Sequence, residues 1–304
     1  MIARVLFGTA LLAGMLAAAA CSSVVSEPRT TAYNEPLNAA ESLALELSAN
    51  SADIVINPLD SGDALMNAQI DHLGDLRYDV TGTASRAISL REDGVQNVSY
   101  IGRPMRWSVD LNRAVPLSLT ISGGSSDLTL PLAAFSLRAL EVNTGSGDIN
   151  LTLPASDSPI PLQVSSGSGL LIMTVVENAQ VSFDSLSLSS GEFAFSNMGT
   201  ASVNGSIRLG SGDVTINLAP GITGELAISV SSGDIRVSQP EGMALRIDVR
   251  SASSGEVEMG DVLRRLSASG LTENTGTWET PGFDEAEQQF TLIIESGSGD
   301  IRVE

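Results

Sequence analysis

Apolar residues recur at every second position through most of the chain, as at Ile149, Leu151 and Leu153, at Val214, Ile216 and Leu218, and at Ile235 and Val237. Successive side chains of a strand point to opposite faces, so this rhythm predicts strands with one buried face. A second set keeps the same beat ahead of each of these segments: Leu140 and Val142, Leu162 and Val164, Ile207 and Leu209, Ile228 and Val230. Between the two sets stands a short phrase of Gly, Ser or Thr and an acid. It reads TGSGDINL from Thr144, SSGDIRV from Ser231 and SGSGDIRV from Ser296.

Aligned on the glycine before the acid, the phrases fall at Gly147, Gly169, Gly191, Gly212, Gly233, Gly255, Gly276 and Gly299, in steps of 22, 22, 21, 21, 22, 21 and 23 residues. Ser126, in GGSSDLTL, lies 21 residues earlier. Units this short leave little room for a helical crossover, and no segment after residue 37 shows a 3.6-residue period. The expected fold is all-β: a parallel β-solenoid with one coil per 21–22 residues. Nine marked coils at about 4.8 Å each predict a rod roughly 38 Å long. The perimeter suits three short strands per coil or two longer ones, and the first is favoured. The glycines read as structural corners, because only Gly adopts positive φ freely and admits a neighbouring backbone so closely. The Ser, Thr and Asp beside them can hydrogen-bond the turned backbone.

Residues 37–123 lack the glycine beat but remain strand-like, at Leu43, Leu45 and Leu47, at Ile54 and Ile56, at Leu76, Tyr78 and Val80, at Ile88 and Leu90, and at Trp107, Val109 and Leu111. SANSADIVI carries a weak copy of the phrase, with Asp53 as its acid. This region is expected to begin the same stack and close its otherwise exposed first end, with a separate small sandwich as the alternative. The domain plan is therefore 1–20 signal peptide, 21–36 flexible tether, 37–123 N-terminal capping region and 124–304 repeat region.

The first two pieces rest on composition. Met1–Ala20 carries Arg4, an apolar run too short to span a bilayer, and small residues at its end, the form of a secretory signal. Cys21 is the only cysteine, which excludes an intrachain disulfide. AAAAC followed by SSVVS resembles a bacterial lipoprotein signal, which implies lipidation of Cys21 and a membrane anchor. Several acyl chains together would hold stably where one would not. From Ser22 to Pro36 the chain is small, polar and proline-punctuated, which predicts the tether. The formal net charge is −20, with 16 basic residues, all Arg. Such a surface repels phosphate backbones, so no nucleic-acid partner is expected.

The stretch from Arg106 to Pro154 resembles bacterial toast-rack proteins, a family grouped with adhesin-like domains and with parts of envelope-stress membrane proteins. The likeness rests on Trp107, Val109, Leu111, Asn112, Val115, Pro116, Leu117, Leu119 and Ile121, then the Gly-plus-acid turns at Asp127 and Asp148. It implies an extracytoplasmic, all-β, noncatalytic module. It supplies no active-site residues.

The residues themselves offer little chemistry. His72 is the only histidine and has no recognisable nucleophile nearby in sequence, so no catalytic residue is assigned. The GSG phrases lack the context of a phosphate loop or a nucleophile elbow. No cofactor is expected. If the coils keep register, Glu192, Asp213, Asp234 and Glu256 form a column of acids, a weak candidate for calcium; corner hydrogen bonding is the simpler reading, and no metal is assigned. Trp107 and Trp278 are the candidate sugar-stacking residues, with packing the commoner role. The reading is a noncatalytic cell-envelope lipoprotein, a structural, adhesive or protein-interaction module, whose partners are the membrane and an envelope protein or surface ligand. The alternatives are an envelope-stress sensor and, behind it, a carbohydrate-active β-helix. The chain stops in mid-phrase at DIRVE, which predicts an unpaired last coil and either end-to-end self-association or docking of another β protein there.

Overall fold

The computed structural model describes residues 27–59, 62–94, 104–267 and 274–304. The signal segment and Cys21 lie outside them. The described residues form two long sheets facing each other across one continuous core that runs from Leu43 to Val303. There is no α-helix among them; the one helical element is the 3₁₀ turn Leu132–Ala134.

Nine coils make the stack, each with one long and one short strand except coil 1, whose two strands are eight residues each. In spatial order they are Ser42–Ala49 with Ala52–Leu59 (coil 1), Leu117–Ser125 with Leu128–Pro131 (coil 2), Leu137–Ser146 with Ile149–Leu153 (coil 3), and Ile160–Ser168 with Leu170–Val175 (coil 4). Coil 5 is Ala179–Ser190 with Glu192–Asn197, coil 6 is Ala201–Ser211 with Val214–Asn217, and coil 7 is Ile222–Ser232 with Ile235–Ser238. Coil 8 is Gln289–Ser298 with Ile301–Val303, and coil 9 is Ala244–Ser254 with Val257–Met259. All these pairings are parallel, as a solenoid requires.

Register makes the core. Ile149, Leu171, Phe193, Val214, Ile235 and Ile301 stand in one file across the short strands, all buried. Burying such a side chain contributes about 1.5–3 kcal/mol, so the alternation alone commits each strand to one face. At two places in the long strands a neighbouring coil sets a glycine beside an aromatic ring: Phe183 is registered on Gly205, and Phe290 on Gly224.

Four expectations need correction. The coil has two strands, not three: the long strand takes two of the expected sides, bending at register shifts such as Leu162/Gln163 and Phe183/Leu186. Residues 29–36 are not tether. Arg29–Pro36 is a strand paired antiparallel with Ala64–His72, because Tyr33 stacks on Tyr78 at 4.4 Å between centroids and Glu35 is buried in an ion pair with Arg86. Gly276 is not a corner. It begins the strand Gly276–Glu279, which crosses coil 9 antiparallel at Arg246–Val249. The ninth coil is supplied instead by Ser42–Leu59, which turns at Asn50 and Ser51 with Asp53 just inside the strand that follows, so the stack begins ahead of residue 124, and 123/124 itself falls inside the strand Leu117–Ser125.

The fourth correction concerns the end. Residues 289–303 are not an open last coil: they lie between coils 7 and 9 and pair on both sides. The outer end of the long-strand sheet is covered instead by the hairpin Arg264–Ser267 and Gly276–Glu279. At the other end, Met105–Asn112, Ala64–His72 and Arg29–Pro36 extend the short-strand sheet, while Ser85–Asp93 and Asp75–Thr81 extend the long-strand sheet.

The corner glycines of coils 3–9 all have positive φ, from +117° at Gly147 and Gly255 to +151° at Gly191. A Cβ on Gly212 would stand 1.8 Å from the Gly191 carbonyl oxygen. By contrast, a Cβ on Gly94, φ +84°, meets nothing within 4 Å. Gly212→Ala should therefore cost at least about 3 kcal/mol, strain and overlap together, and Gly94→Ala about 1 kcal/mol. Urea unfolding followed by circular dichroism reads both; equal costs would refute the close-approach account.

Candidate functional site

The corner column is where the sequence placed its best chemistry, and the geometry shows what the acids do. In the backbone ladder each residue after the acid donates its N–H to the acid's carbonyl in the next coil, as from Val214 to Asp234 at 2.8 Å and from Ile235 to Asp300 at 2.8 Å. The side chains add a second ladder. Asp127 Oδ1 accepts the Asp148 N–H at 2.8 Å, and Asp148 Oδ1 accepts the Leu170 N–H at 2.9 Å. Farther along, Asp213 Oδ1 accepts the Asp234 N–H at 2.9 Å, Asp234 Oδ1 that of Asp300 at 3.0 Å, and Asp300 Oδ1 that of Glu256 at 2.9 Å. Leu170 has no acceptor to offer, and the Glu192 N–H turns to the Gly169 carbonyl at 3.1 Å.

These bonds decide the role of the column. Carboxylates about 4.8 Å apart repel; charge-assisted bonds from the turned amides offset that repulsion. Arg236 adds a cation, 2.8 Å from Asp234 and 3.6 Å from Asp213. The column expected as Glu192, Asp213, Asp234 and Glu256 is broken before its last member by Asp300, since coil 8 intervenes. No group of three or more His, Cys, Asp or Glu among the described residues is placed to hold a metal ion.

The other candidates are engaged in packing. His72 is buried, with Nδ1 2.8 Å from the Gly74 carbonyl and Nε2 2.9 Å from Thr31 Oγ1, so both ring nitrogens are occupied. Trp107 is fully buried and its indole N–H donates to the Asp71 carbonyl at 3.1 Å. Trp278 is 7% exposed beneath the Arg265 guanidinium, 5.1 Å from the ring centroid. Neither indole presents a face for a sugar.

Two polar clusters at the ends escaped the sequence reading. At the first end Tyr78 donates to Glu35 at 3.1 Å, and Glu35 also takes a bond from Arg86. Burial first, and then the Glu35 charge, push the Tyr78 hydroxyl above its ordinary range. Nearby, Glu92 Oε1 accepts the N–H groups of Leu73 and Gly74 at 2.8 and 2.9 Å. At the far end Arg246 bonds Glu279 and Asp284, each at 2.8 Å, and lies over the Phe283 ring at 4.1 Å. The bonds it donates to the Glu279 carboxylate first, and then to that of Asp284, hold the guanidinium above its ordinary range. The spacing of the ion pairs, 51 residues from Glu35 to Arg86 and 33 from Arg246 to Glu279, is no multiple of the repeat.

Residues 24–173 match the family model of the N-terminal domain of toast_rack. The chain carries a toast-rack N-terminal domain. That match runs through the first cap and coils 1 to 3 and ends inside the second strand of coil 4. Within the toast-rack segment the resemblance residues have identifiable roles: Trp107, Val109, Leu111, Leu117, Leu119 and Ile121 fill the core. Asn112 ties its turn, donating to the Ala64 carbonyl and accepting the Ala114 N–H, both at 3.1 Å. Three solved structures are also similar to the chain. One is designated a cell adhesion protein, from Clostridium sporogenes ATCC 15579, at 14% identity, 91% coverage of this chain and 99% of that one, with a TM-score of 0.36. Another is designated an adhesin, from Bacteroides fragilis NCTC 9343, at 11% identity, with coverage of 91% and 97% and a TM-score of 0.39. The third is designated a lipid-binding protein, from Parabacteroides distasonis ATCC 8503, at 14% identity, with coverage of 91% and 97% and a TM-score of 0.32. No curated protein matches the chain.

The column's role as a backbone tie has a measurable consequence. Asp234→Ala removes the acceptor for the Asp300 amide and should lower the unfolding free energy by about 1–3 kcal/mol. Millimolar calcium should leave the Tm of the unaltered chain unmoved. A calcium-dependent rise in Tm, abolished by Asp234→Ala, would make the column an ion site instead.

Proposed function

We propose that the protein is a noncatalytic lipoprotein of the cell envelope, anchored through Cys21, whose stack works as a structural, adhesive or protein-interaction module. The observation that carries this reading is how the polar groups of the corner are used. The aspartates, the best chemical candidates in the chain, tie one coil to the next, and the lone histidine and both tryptophans are built into the packing. What remains for function is shape: two broad sheet faces and two ends. The toast-rack segment agrees with a module of this kind.

The first strand sharpens the anchor geometry. Pairing begins at Arg29, eight residues after Cys21, and eight residues extend at most about 28 Å. The cap formed by Arg29–Pro36 and Asp75–Thr81 would therefore stay near the bilayer, leaving coils 8 and 9 as the end farther from the anchor. The acidic surface, net −20, would add repulsion from anionic headgroups, favouring a stack held off the membrane over one lying on it.

Detergent phase partition of envelope fractions tests the anchor. The full chain should enter the detergent phase and Cys21→Ser the aqueous phase; a wild-type chain in the aqueous phase would remove the membrane from the proposal. Crosslinking of the anchored chain in its own envelope tests the module. A recurrent envelope protein or surface glycan is the expected product, whereas turnover of a glycan substrate by the purified chain would overturn the noncatalytic reading.

A further inference from the structure

The order of coils in space departs from their order in sequence at one place. After coil 7 the chain skips a coil position, builds coil 9, covers it with the hairpin Arg264–Ser267 and Gly276–Glu279, and then returns to fill the gap with coil 8. The long strand of coil 9 pairs with coil 8 and the hairpin, and its short strand with coil 8 alone. Among the described residues, all strand pairing between 244–304 and the rest of the stack therefore runs through the inner face of coil 8.

That inner face is a repeat interface like any other. Leu226 and Leu292, Ile228 and Ile294, Ile235 and Ile301, and Val237 and Val303 meet in register, all buried. The Gly233 N–H donates to the Ser298 carbonyl at 2.9 Å and the Glu304 N–H to the Val237 carbonyl at 2.9 Å. The covalent link between the two bodies is by comparison slight. Five residues, Gln239–Met243, join the strands Ile235–Ser238 and Ala244–Ser254; they include Pro240, and Gly242 at φ +77°. A short loop beside a self-complementary strand edge is the arrangement from which copies of a chain exchange elements, because the strand pairing broken within one copy is rebuilt in full with the next.

We propose that residues 244–304 form an exchangeable end unit, and that a second copy of the chain supplies this unit to the open face of coil 7, giving a reciprocally exchanged dimer hinged at Gln239–Met243. The monomer is the form at low concentration, since the hinge holds its own unit at high effective concentration. Crowding of chains shifts the balance toward exchange, and the edge of coil 7 is the surface that recognises the partner.

Ser232 and Ser298 are register partners across the interface. Their strands are about 4.8 Å apart, within the Cα separation that a disulfide spans. The test uses the full chain bearing Cys21→Ser, Ser232→Cys and Ser298→Cys, kept reduced, partly unfolded in urea at high protein concentration and returned to buffer. A dimer is expected by size-exclusion chromatography. Oxidation within that dimer should join two chains on a non-reducing gel, and oxidation of the monomer beforehand should abolish dimer formation. Absence of a dimer, or a dimer with crosslinks only within each chain, overturns the proposal. Hydrogen exchange of the unsubstituted chain guards against a folding defect in the variant. Amides of 244–259 and 289–303 should open together and before those of 160–238, and opening in step with the whole stack would equally refute an end unit.

Discussion

The close approach of one corner to the next is the constraint on which everything else depends. The backbone of each coil must pass over the last at strand spacing while turning sharply, and a side chain at the turn would occupy the space of the neighbouring carbonyl. A Cβ on Gly191 or Gly233 would lie 2.2 or 2.1 Å from the carbonyl oxygen of the preceding corner glycine. Positive φ and absent Cβ are thus two demands met by one residue type. Once the corners are fixed in file, the parity of every following residue is fixed too, and a slip of one position would put Ile235 and Val237 in water. The apolar alternation and the glycine period are therefore one requirement seen at two scales.

The same constraint explains why acids follow the glycines in a chain that has so few catalytic features. A turned corner leaves an amide facing outward, and a short carboxylate one coil back can reach it; Asp does so at Asp127, Asp148, Asp213, Asp234 and Asp300. The corner at Leu170 shows the alternative, in which the next amide finds a backbone carbonyl instead. The aspartates are thereby committed to the stack, so much of the charge that looks like a site in the sequence is part of the fold. This also bears on the overall acidity, since a column of carboxylates is tolerated where each has a donor.

The stack was legible because its signals are local and repeated. Gly147 to Gly255 announce their coils, and the strands that follow each one lie where the alternation put them. The errors came where local signals are shared by different structures. Gly276 keeps the beat to within a residue yet opens a hairpin strand, since a positive φ serves either setting. Thr31, Tyr33 and Glu35 alternate correctly, but their inward faces are a ring pair and an ion pair, which no hydrophobic pattern reveals. The long strands hid the number of sides per coil, because a bulge such as that at Phe183/Leu186 bends a strand without leaving a turn residue. The candidate site divided the same way. The corner acids stood out in sequence, while the Glu35–Arg86–Tyr78 and Arg246–Glu279–Asp284 clusters join residues that share no repeated phrase.

The two ends share a logic that repetition could not have supplied. A solenoid that simply stopped would expose two unpaired edges at each end, and every coil is by construction a template for another. At the first end the chain leaves coil 1 after Leu59, lays Ser85–Asp93 and Met105–Asn112 parallel against it with the antiparallel strands Asp75–Thr81, Ala64–His72 and Arg29–Pro36 outside them, and then resumes on the inner side at Leu117. At the far end it leaves coil 9 after Met259, adds an antiparallel hairpin outward, and again resumes on the inner side at Gln289. Antiparallel strands end a parallel stack because they do not continue its corner. Resuming inward has a further effect: the outermost coil is bonded only to strands that came after it, so it cannot be completed until the chain has returned. At the first end the return begins the body of the stack, and the cap is bound into everything that follows. At the far end the return is a single coil, which makes that end the one place where a whole unit is held to the body by one repeat interface and a five-residue loop. Stability along the rod is thus expected to be graded, highest where each coil has sequence neighbours on both sides and lowest at the seam between coils 7 and 8.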